Sequence, residues 1–158
     1  MIVGLIGDTH GKLRPAIFEL FRGVDLILHA GDVGPLDIIT ELETIAPVHA
    51  VLGNTDSWEL VPQLQEMLDL ELEGRRVVVM HGHQLGSPTP RLLRVAHPGA
   101  DVIVYGHTHR QHVDRNGGTL VVNPGAAGPA RFNLKPSVAK LTLAAASAPA
   151  VELLPIEE

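Results

Sequence analysis

A chain of 158 residues, 45% of them hydrophobic, has the length of one domain spanning 1–158 and enough apolar surface for a core. Aromatics make up only 3% and the formal net charge is −6, so neither the stacking surface nor the basic face of a nucleic-acid binder is present, and no nucleic-acid polymer is expected as a partner. Cysteine is absent, which excludes disulfides and thiolate zinc sites; no apolar run approaches the roughly 20 residues of a membrane span, and Met1-Ile2-Val3 lacks the basic lead of a signal peptide, so a cytoplasmic protein without membrane association is expected.

The first stretch, residues 2–6, is apolar and partly β-branched, as a buried strand requires, and it stops at Gly7-Asp8-Thr9-His10-Gly11. Asp8 and His10 stand at i and i+2, so in extended backbone both side chains would point the same way and reach one ion. Residues 12–21 fit a short helix, with Leu13, Ile17, Leu20 and Phe21 on one face and Pro15 tolerated in the first turn. Asp25 opens a second strand, whose run Leu26-Ile27-Leu28 leads into His29-Ala30-Gly31-Asp32. A helix over 35–45 repeats Leu36, Ile39, Leu42 and Ile45 before Pro47, and a third strand over 48–52 leads into Gly53-Asn54-Thr55-Asp56. Strands alternating with helices in this way imply parallel pairing through right-handed crossovers.

Residues 57–67 read as a further helix with Ser57 as N-cap, complicated by Pro62. Residues 68–73 alternate leucine with acidic residues, the mark of a strand with one wet face, and Gly74-Arg75-Arg76 turns them into the buried run 77–80, which ends at His81-Gly82-His83. A helix follows Pro90 within 87–97, and a strand over 102–105 leads into Gly106-His107-Thr108-His109. Short strands over 111–114 and 119–122, turned at Asn116-Gly117-Gly118, then 137–143 and 151–156, give the second half an antiparallel character.

Each of five strands thus ends in Asp, His or Asn beside glycine, and in sheets flanked by helices the loops at the carboxyl ends of strands build the site. Asp8, His10, Asp32, Asn54, His81, His107 and His109 offer more N and O donors than the four that one zinc ion takes. They suit two divalent ions bridged by Asp32, a centre that can hold a phosphoryl group and activate water for in-line displacement. Two such ions and two aspartates leave a net charge of about +2, enough to hold a bridging hydroxide and a phosphate oxygen in an otherwise acidic protein. His and carboxylate ligands admit manganese, iron, zinc, cobalt or nickel. Singly, each residue has a plainer reading: Asp8 or Asp32 as a helix cap, Asn54 as a turn former, the histidines as loop residues. His29 reads as a hydrogen-bonded core or supporting residue, His83 as equally a pocket or a loop residue, His49, His97 and His112 as structural or surface, and Arg131 as a solvated arginine ahead of its alternative, a contact to substrate phosphate.

These segments together resemble the calcineurin-like metallophosphoesterases, more narrowly their small prokaryotic phosphodiesterase branch. The likeness rests on Gly7-Asp8-Thr9-His10, Gly31-Asp32, Gly53-Asn54-Thr55-Asp56, His81-Gly82-His83 and Gly106-His107-Thr108-His109, in that order, with Asn123-Pro124-Gly125-Ala126 similar to the closing turn. It implies an α/β fold, a four-layer α/β/β/α sandwich of two mixed sheets flanked by helices. It also implies a dinuclear centre, with manganese as first choice, at which a small phosphodiester is hydrolysed by a metal-bridging hydroxide. By that pattern Asp8, His10, Asp32 and His109 bind one ion, and Asp32, Asn54, His81 and His107 the other, while Asp32 and Asn54 also serve catalysis. Many relatives carry histidine after the Gly-Asn pair to protonate the leaving group. Here Thr55 stands there and is too weak an acid near neutral pH, so His83 or water is expected to supply the proton. Asp56 would orient a ligand from behind. The alternative is a non-catalytic metal-binding scaffold of the same fold, as in the retromer subunit that resembles these enzymes. Oligomeric state stays open, a dimer included.

Overall fold

The structure, a computed structural model, describes residues 1–157; Glu158, the last residue of the expected domain, lies outside the described residues. In chain order the elements are β1 (Ile2–Ile6), α1 (Ala16–Leu20), β2 (Leu26–His29), α2 (Asp37–Leu42), β3 (Val48–Ala50), β4 (Met67–Leu72) and β5 (Arg75–Met80). They continue with α3 (Pro90–Ala96), β6 (Val102–Val104), β7 (His112–Asp114), β8 (Leu120–Asn123), β9 (Ser137–Ala144) and β10 (Ser147–Pro155).

Ten strands form two five-stranded sheets, ordered β10-β9-β1-β2-β3 and β4-β5-β6-β8-β7. In the first, β1, β2 and β3 are parallel, β9 runs antiparallel to β1, and β10 runs antiparallel to β9. The second is also mixed, with β5, β6 and β8 parallel and β4 and β7 antiparallel at its edges.

Period-two alternation within wholly apolar strands sorts the core into layers. On β1, Val3 and Leu5 enter the seam between the sheets and Ile6 faces the helices; on β5, Val77 and Val79 enter the same seam while Val78 and Met80 face α3. Ile17 and Phe21 around α1, with Ile38, Ile39 and Leu42 of α2, cover the first sheet, and Leu93 of α3 covers the second. The result is the four-layer α/β/β/α sandwich.

Three expectations need correction. Residues 57–67 are not a helix: 57–63 form successive turns, in which Leu60 N–H donates to Ser57 O and both Gln63 and Leu64 donate to Leu60 O, and Met67 already begins β4. Pro62 has no N–H for the Trp58 carbonyl, and its ring would clash there in helical geometry. The helices over 12–21 and 35–45 shrink to Ala16–Leu20 and Asp37–Leu42, each starting after the proline that the longer reading had placed in its first turn. Finally, antiparallel pairing holds for β7 with β8 and for β9 with β10, but β8 itself lies parallel to β6.

Candidate metal centre

β1, β2, β5 and β6 deliver their carboxyl ends to one edge of the sandwich. Asp8 and His10 follow β1, Asp32 follows β2, His81 follows β5, and His107 and His109 follow β6. Their backbone is unusual. Asp8 (φ 48°), His10 (φ 46°), Asp32 (φ 53°), His107 (φ 73°) and His109 (φ 64°) all occupy the left-handed region that residues with a Cβ avoid. Strained residues of this kind gather where a surrounding structure over-determines them, commonly at functional sites. The i, i+2 argument for Asp8 and His10 therefore fails in its reason, because both lie beyond the strand in left-handed backbone.

Two sets of donor atoms meet within 4.8 Å of one another: Asp8, His10 and His109 in one, and Asp8, Asp32 and His81 in the other. His81 Nε2 lies 3.2 Å from Asp32 Oδ2 and 3.8 Å from Asp8 Oδ1. His109 Nε2 lies 3.7 Å from Asp8 Oδ1 and 3.4 Å from His10 Nε2, which in turn is 3.7 Å from Asp32 Oδ2. Asp8 thus faces donors of both sets, and Asp32 faces His10 as well as His81. The ring of His107 stands edge-on to that of His81 at 5.1 Å, and its backbone N–H donates to Asp8 Oδ2 at 3.2 Å. His83 lies beside both rings, 5.3 Å from His81 and 6.4 Å from His107. Asn54 is exposed, and its loop joins the cluster through the Thr55 N–H, which donates to Asp32 Oδ1 at 2.9 Å.

The surroundings orient these groups. His81 Nδ1–H donates to the Ala30 carbonyl at 2.8 Å, which leaves the Nε2 lone pair aimed at the two aspartates. Asp56 accepts from Gly34 N–H at 3.0 Å and Gly53 N–H at 2.8 Å, so it ties together the loops after β2 and β3. Asn123 donates to Gly106 O and Thr108 Oγ1, holding the His107–His109 turn in place. Glycine is needed for close approach at two points: a Cβ on Gly31 would sit 2.8 Å from His81 Nδ1, and one on Gly53 would sit 2.1 Å from Asp32 Oδ1.

Charge at this edge is unbalanced in a way that suits a cation. Asp8 Oδ1 and His81 Nε2, 3.8 Å apart, are both buried without a hydrogen-bond partner, and buried lone pairs facing one another are costly unless a cation or proton joins them. Burial pushes the Asp8 carboxyl up to about 7 against the opposing charge of His81. Burial also disfavours charge on Asp32, but the His81 ring, 3.2 Å from Oδ2, and the Thr55 N–H, which donates to Oδ1, outweigh it and hold its pKa below the usual carboxylate range. Burial lowers His109 to about 4, aided by the charges of His10 and Arg131, and burial likewise lowers His10 and His107. His81 goes the other way: burial disfavours its charge, but Asp32 and Asp8 outweigh it and raise its pKa. The neutral His10, His107 and His109 beside the ionised Asp32 are the forms that bind divalent metals, and at His81 a metal ion would take the place of the proton.

His29 stays out of the cluster. It is fully buried, accepts from Gly31 N–H at Nδ1 and donates from Nε2 to Thr9 Oγ1, whose own proton goes to Val33 O. One neighbour, Phe132, escaped the sequence reading, and a second, Arg131, was read there and lies beside the cluster. Phe132 packs edge-on against His109 with ring centroids 5.9 Å apart, and Arg131 is near enough for its charge to act on His10 and His109. The one sequence signal for Phe132 was the scarcity of aromatics.

The profile of the calcineurin-like phosphoesterase superfamily domain matches residues 1–146. A probable metallophosphoesterase of Methanothermobacter thermautotrophicus is 39% identical over 133 residues, covering 80% of this chain and 77% of its own. The phosphodiesterase YfcE of Escherichia coli is 33% identical, covering 75% of each chain. Among solved structures, Vps29 of Entamoeba histolytica complexed with Zn2+ superimposes with a TM-score of 0.80 at 25% identity, covering 98% of this chain and 99% of that one. An archaeal phosphodiesterase shares the fold with a TM-score of 0.79 at 24% identity, covering 99% and 100%. Among the described residues no helix is long and apolar enough to cross a membrane. With the converging donors and these relatives together, the chain belongs to the calcineurin-like phosphoesterase superfamily.

Proposed function

We propose that this protein is a metal-dependent phosphodiesterase, cleaving a P–O bond of a small diester at a dinuclear centre. The observation that carries the reading is the pair of donor sets sharing Asp8, in which Asp8 Oδ1 and His81 Nε2 are buried and face one another without a hydrogen-bond partner. Asp8, His10, Asp32 and His109 would hold one ion, and Asp32, Asn54, His81 and His107 the other, with manganese the first choice and iron, zinc, cobalt or nickel as alternatives. Bound divalent ions supply Lewis-acid polarisation of phosphoryl oxygens and a hydroxide nucleophile at neutral pH.

The chain's own residues do the positioning. The Thr55 N–H fixes one oxygen of Asp32 and leaves the other toward His81 and His10. The Ala30 carbonyl fixes the His81 tautomer. Thr55 stands where a leaving-group acid would be, so in this reading His83 gives the departing oxygen its proton, although burial lowers its pKa and so reduces its protonated fraction near neutral pH. In this reading the enzyme acts in the cytoplasm on a small phosphodiester, without a macromolecular partner.

Hydrolysis of bis(p-nitrophenyl) phosphate with and without manganese, and with a chelator, tests the proposal. The wild-type protein is expected to show turnover that the chelator removes, Asp32→Ala to lose both metal binding and turnover, and His83→Ala to keep the metal and slow by about 100-fold. Manganese bound by the wild-type protein without turnover of any diester would instead support the scaffold of the same fold.

A further inference from the structure

Aromatic side chains are few in this sequence, yet Trp58 and Phe132 leave 85% and 74% of their surface exposed, and both sit on loops that border the donor cluster. Trp58 lies two residues beyond Asp56, whose carboxylate ties the loops after β2 and β3. Phe132 lies on the segment between β8 and β9. That segment is pinned to the cluster at its start, where Ala127 N–H donates to Gly7 O and Gly128 N–H to Asp8 O, and at its end, where Ser137 N–H donates to Ala126 O.

Between these anchors the chain makes a tight turn, closed by Leu134 N–H on Arg131 O at 2.9 Å, with Phe132 (φ 56°) and Asn133 (φ 59°) both left-handed. Turns with two left-handed central residues favour Gly, Asn and Asp, because a Cβ is strained there. Asn133 suits its place, whereas Phe132 opposes the local preference. It gains little burial in return, since three quarters of the residue stays in solvent while its edge rests on His109. Neither core packing nor turn chemistry accounts for a phenylalanine at this position. A ring held beside a candidate metal ligand, with a face open to solvent, accounts for it through contact with a ligand.

The geometry points to Phe132 as a specificity-determining residue that stacks an aromatic ester group of the diester whose phosphoryl group lies at the His10 and His109 side of the centre. Offset stacking or edge contact between rings needs centroids about 4.5–7 Å apart, a range the ring already meets with His109. Arg131 adds a planar cation on the same flank for the anionic phosphoryl group or the ring face. The substrate class this selects is a phosphodiester with an aryl group or a nucleobase, in preference to one with only alkyl groups. This deepens the phosphodiesterase reading and rests on it for the position of the phosphoryl group.

Diphenylphosphinate and dimethylphosphinate carry the single negative charge of a diester but have no ester bond to break, so calorimetric titration of the manganese-loaded protein reads ring recognition without turnover. Wild type is expected to bind the diphenyl compound about tenfold more tightly than the dimethyl one, the size of one aromatic stacking contact. Phe132→Asn is expected to bring the two within about threefold of each other, and Phe132→Tyr to restore the preference. Asparagine tolerates the left-handed backbone, so Phe132→Asn should also keep or raise Tm. The same diphenyl preference in Phe132→Asn as in wild type, or a fall in Tm with the preference intact, would overturn the proposal and leave the hydrolase reading standing. Intact recognition beside absent turnover of bis(p-nitrophenyl) phosphate would do the reverse. Rates for adenosine 3′,5′-cyclic phosphate against bis(p-nitrophenyl) phosphate then identify the ring: the substrate that loses more in Phe132→Asn carries the group that stacks.

Discussion

His29 sits at the end of β2, three residues before Asp32, and every polar atom of its ring is satisfied by Gly31 and Thr9. In that environment a second proton has nowhere to go. Burial lowers its pKa from 6.5 to about 3, with the charge of His81 acting in the same direction. The folded state thus binds fewer protons at this ring than the unfolded state between pH about 3 and 6.5, so stability rises with pH through that window and is lost on acidification. One proton of difference corresponds to about 1.4 kcal/mol for each pH unit. Urea unfolding of wild type and His29→Gln between about pH 6 and 4.5 should therefore show a shallower loss of stability in the variant, by close to one proton. Parallel slopes would mean that His29 is not held neutral in the native state.

Elements without regular secondary structure can still be fastened by single side chains, and the 57–64 segment shows it. Its turns leave Trp58 and Val61 in solvent, but Leu60 is fully buried in the helix-side core beside Leu52 and Leu42, and its carbonyl accepts from both Gln63 and Leu64. Leu60→Ala should cost about 2–4 kcal/mol by leaving a cavity, and Val61→Ala less than about 0.5 kcal/mol, a contrast that denaturant titration resolves. An amphipathic helix over the same residues would penalise both changes. The contrast also marks what the sequence could tell. Runs such as Val77 to Met80 and Val102 to Val104 were legible as strands because β-branched residues bounded by glycine and a polar ligand type admit few other structures. Donor types at the ends of five strands were legible for the same reason. Pro62 was visible as a complication of the helix capped at Ser57, and the chain resolved the conflict in favour of the missing N–H. Left-handed backbone at Asp8, His10 and Asp32 was beyond reach, because non-glycine residues adopt it only under tertiary constraint from loops such as Gly31 and Gly53. Phe132 was missed likewise, since its role depends on His109, which is distant in sequence.

At the scale of the molecule, the two sheets meet through an apolar seam in which Val3, Leu5, Leu28 and Leu141 face Val77, Val79, Val104 and Val122. The donor cluster lies at one end of this seam, and its members divide by sheet: Asp8, His10 and Asp32 follow strands of the first sheet, while His81, His107 and His109 follow strands of the second. Ions held there would join the sheets where apolar packing gives way to polar loops, and without them the unpartnered atoms of Asp8 and His81 face one another. A ligand that binds only the folded state stabilises it by RT ln(1 + [L]/Kd), about 2.7 kcal/mol at a hundredfold excess over Kd. For a chain of this size that is a Tm increase of roughly 5–10 °C. Differential scanning calorimetry with manganese and then a chelator should show this shift and its reversal. Because Asp8 stands in both donor sets and His81 in one, Asp8→Ala should abolish the shift and His81→Ala should reduce it, although the two residues lie on opposite sides of the seam. His49→Ala, on an exposed position of β3, should leave it intact. A full shift surviving in His81→Ala would mean that the stabilising metal is held without His81, by the set of Asp8, His10 and His109 alone.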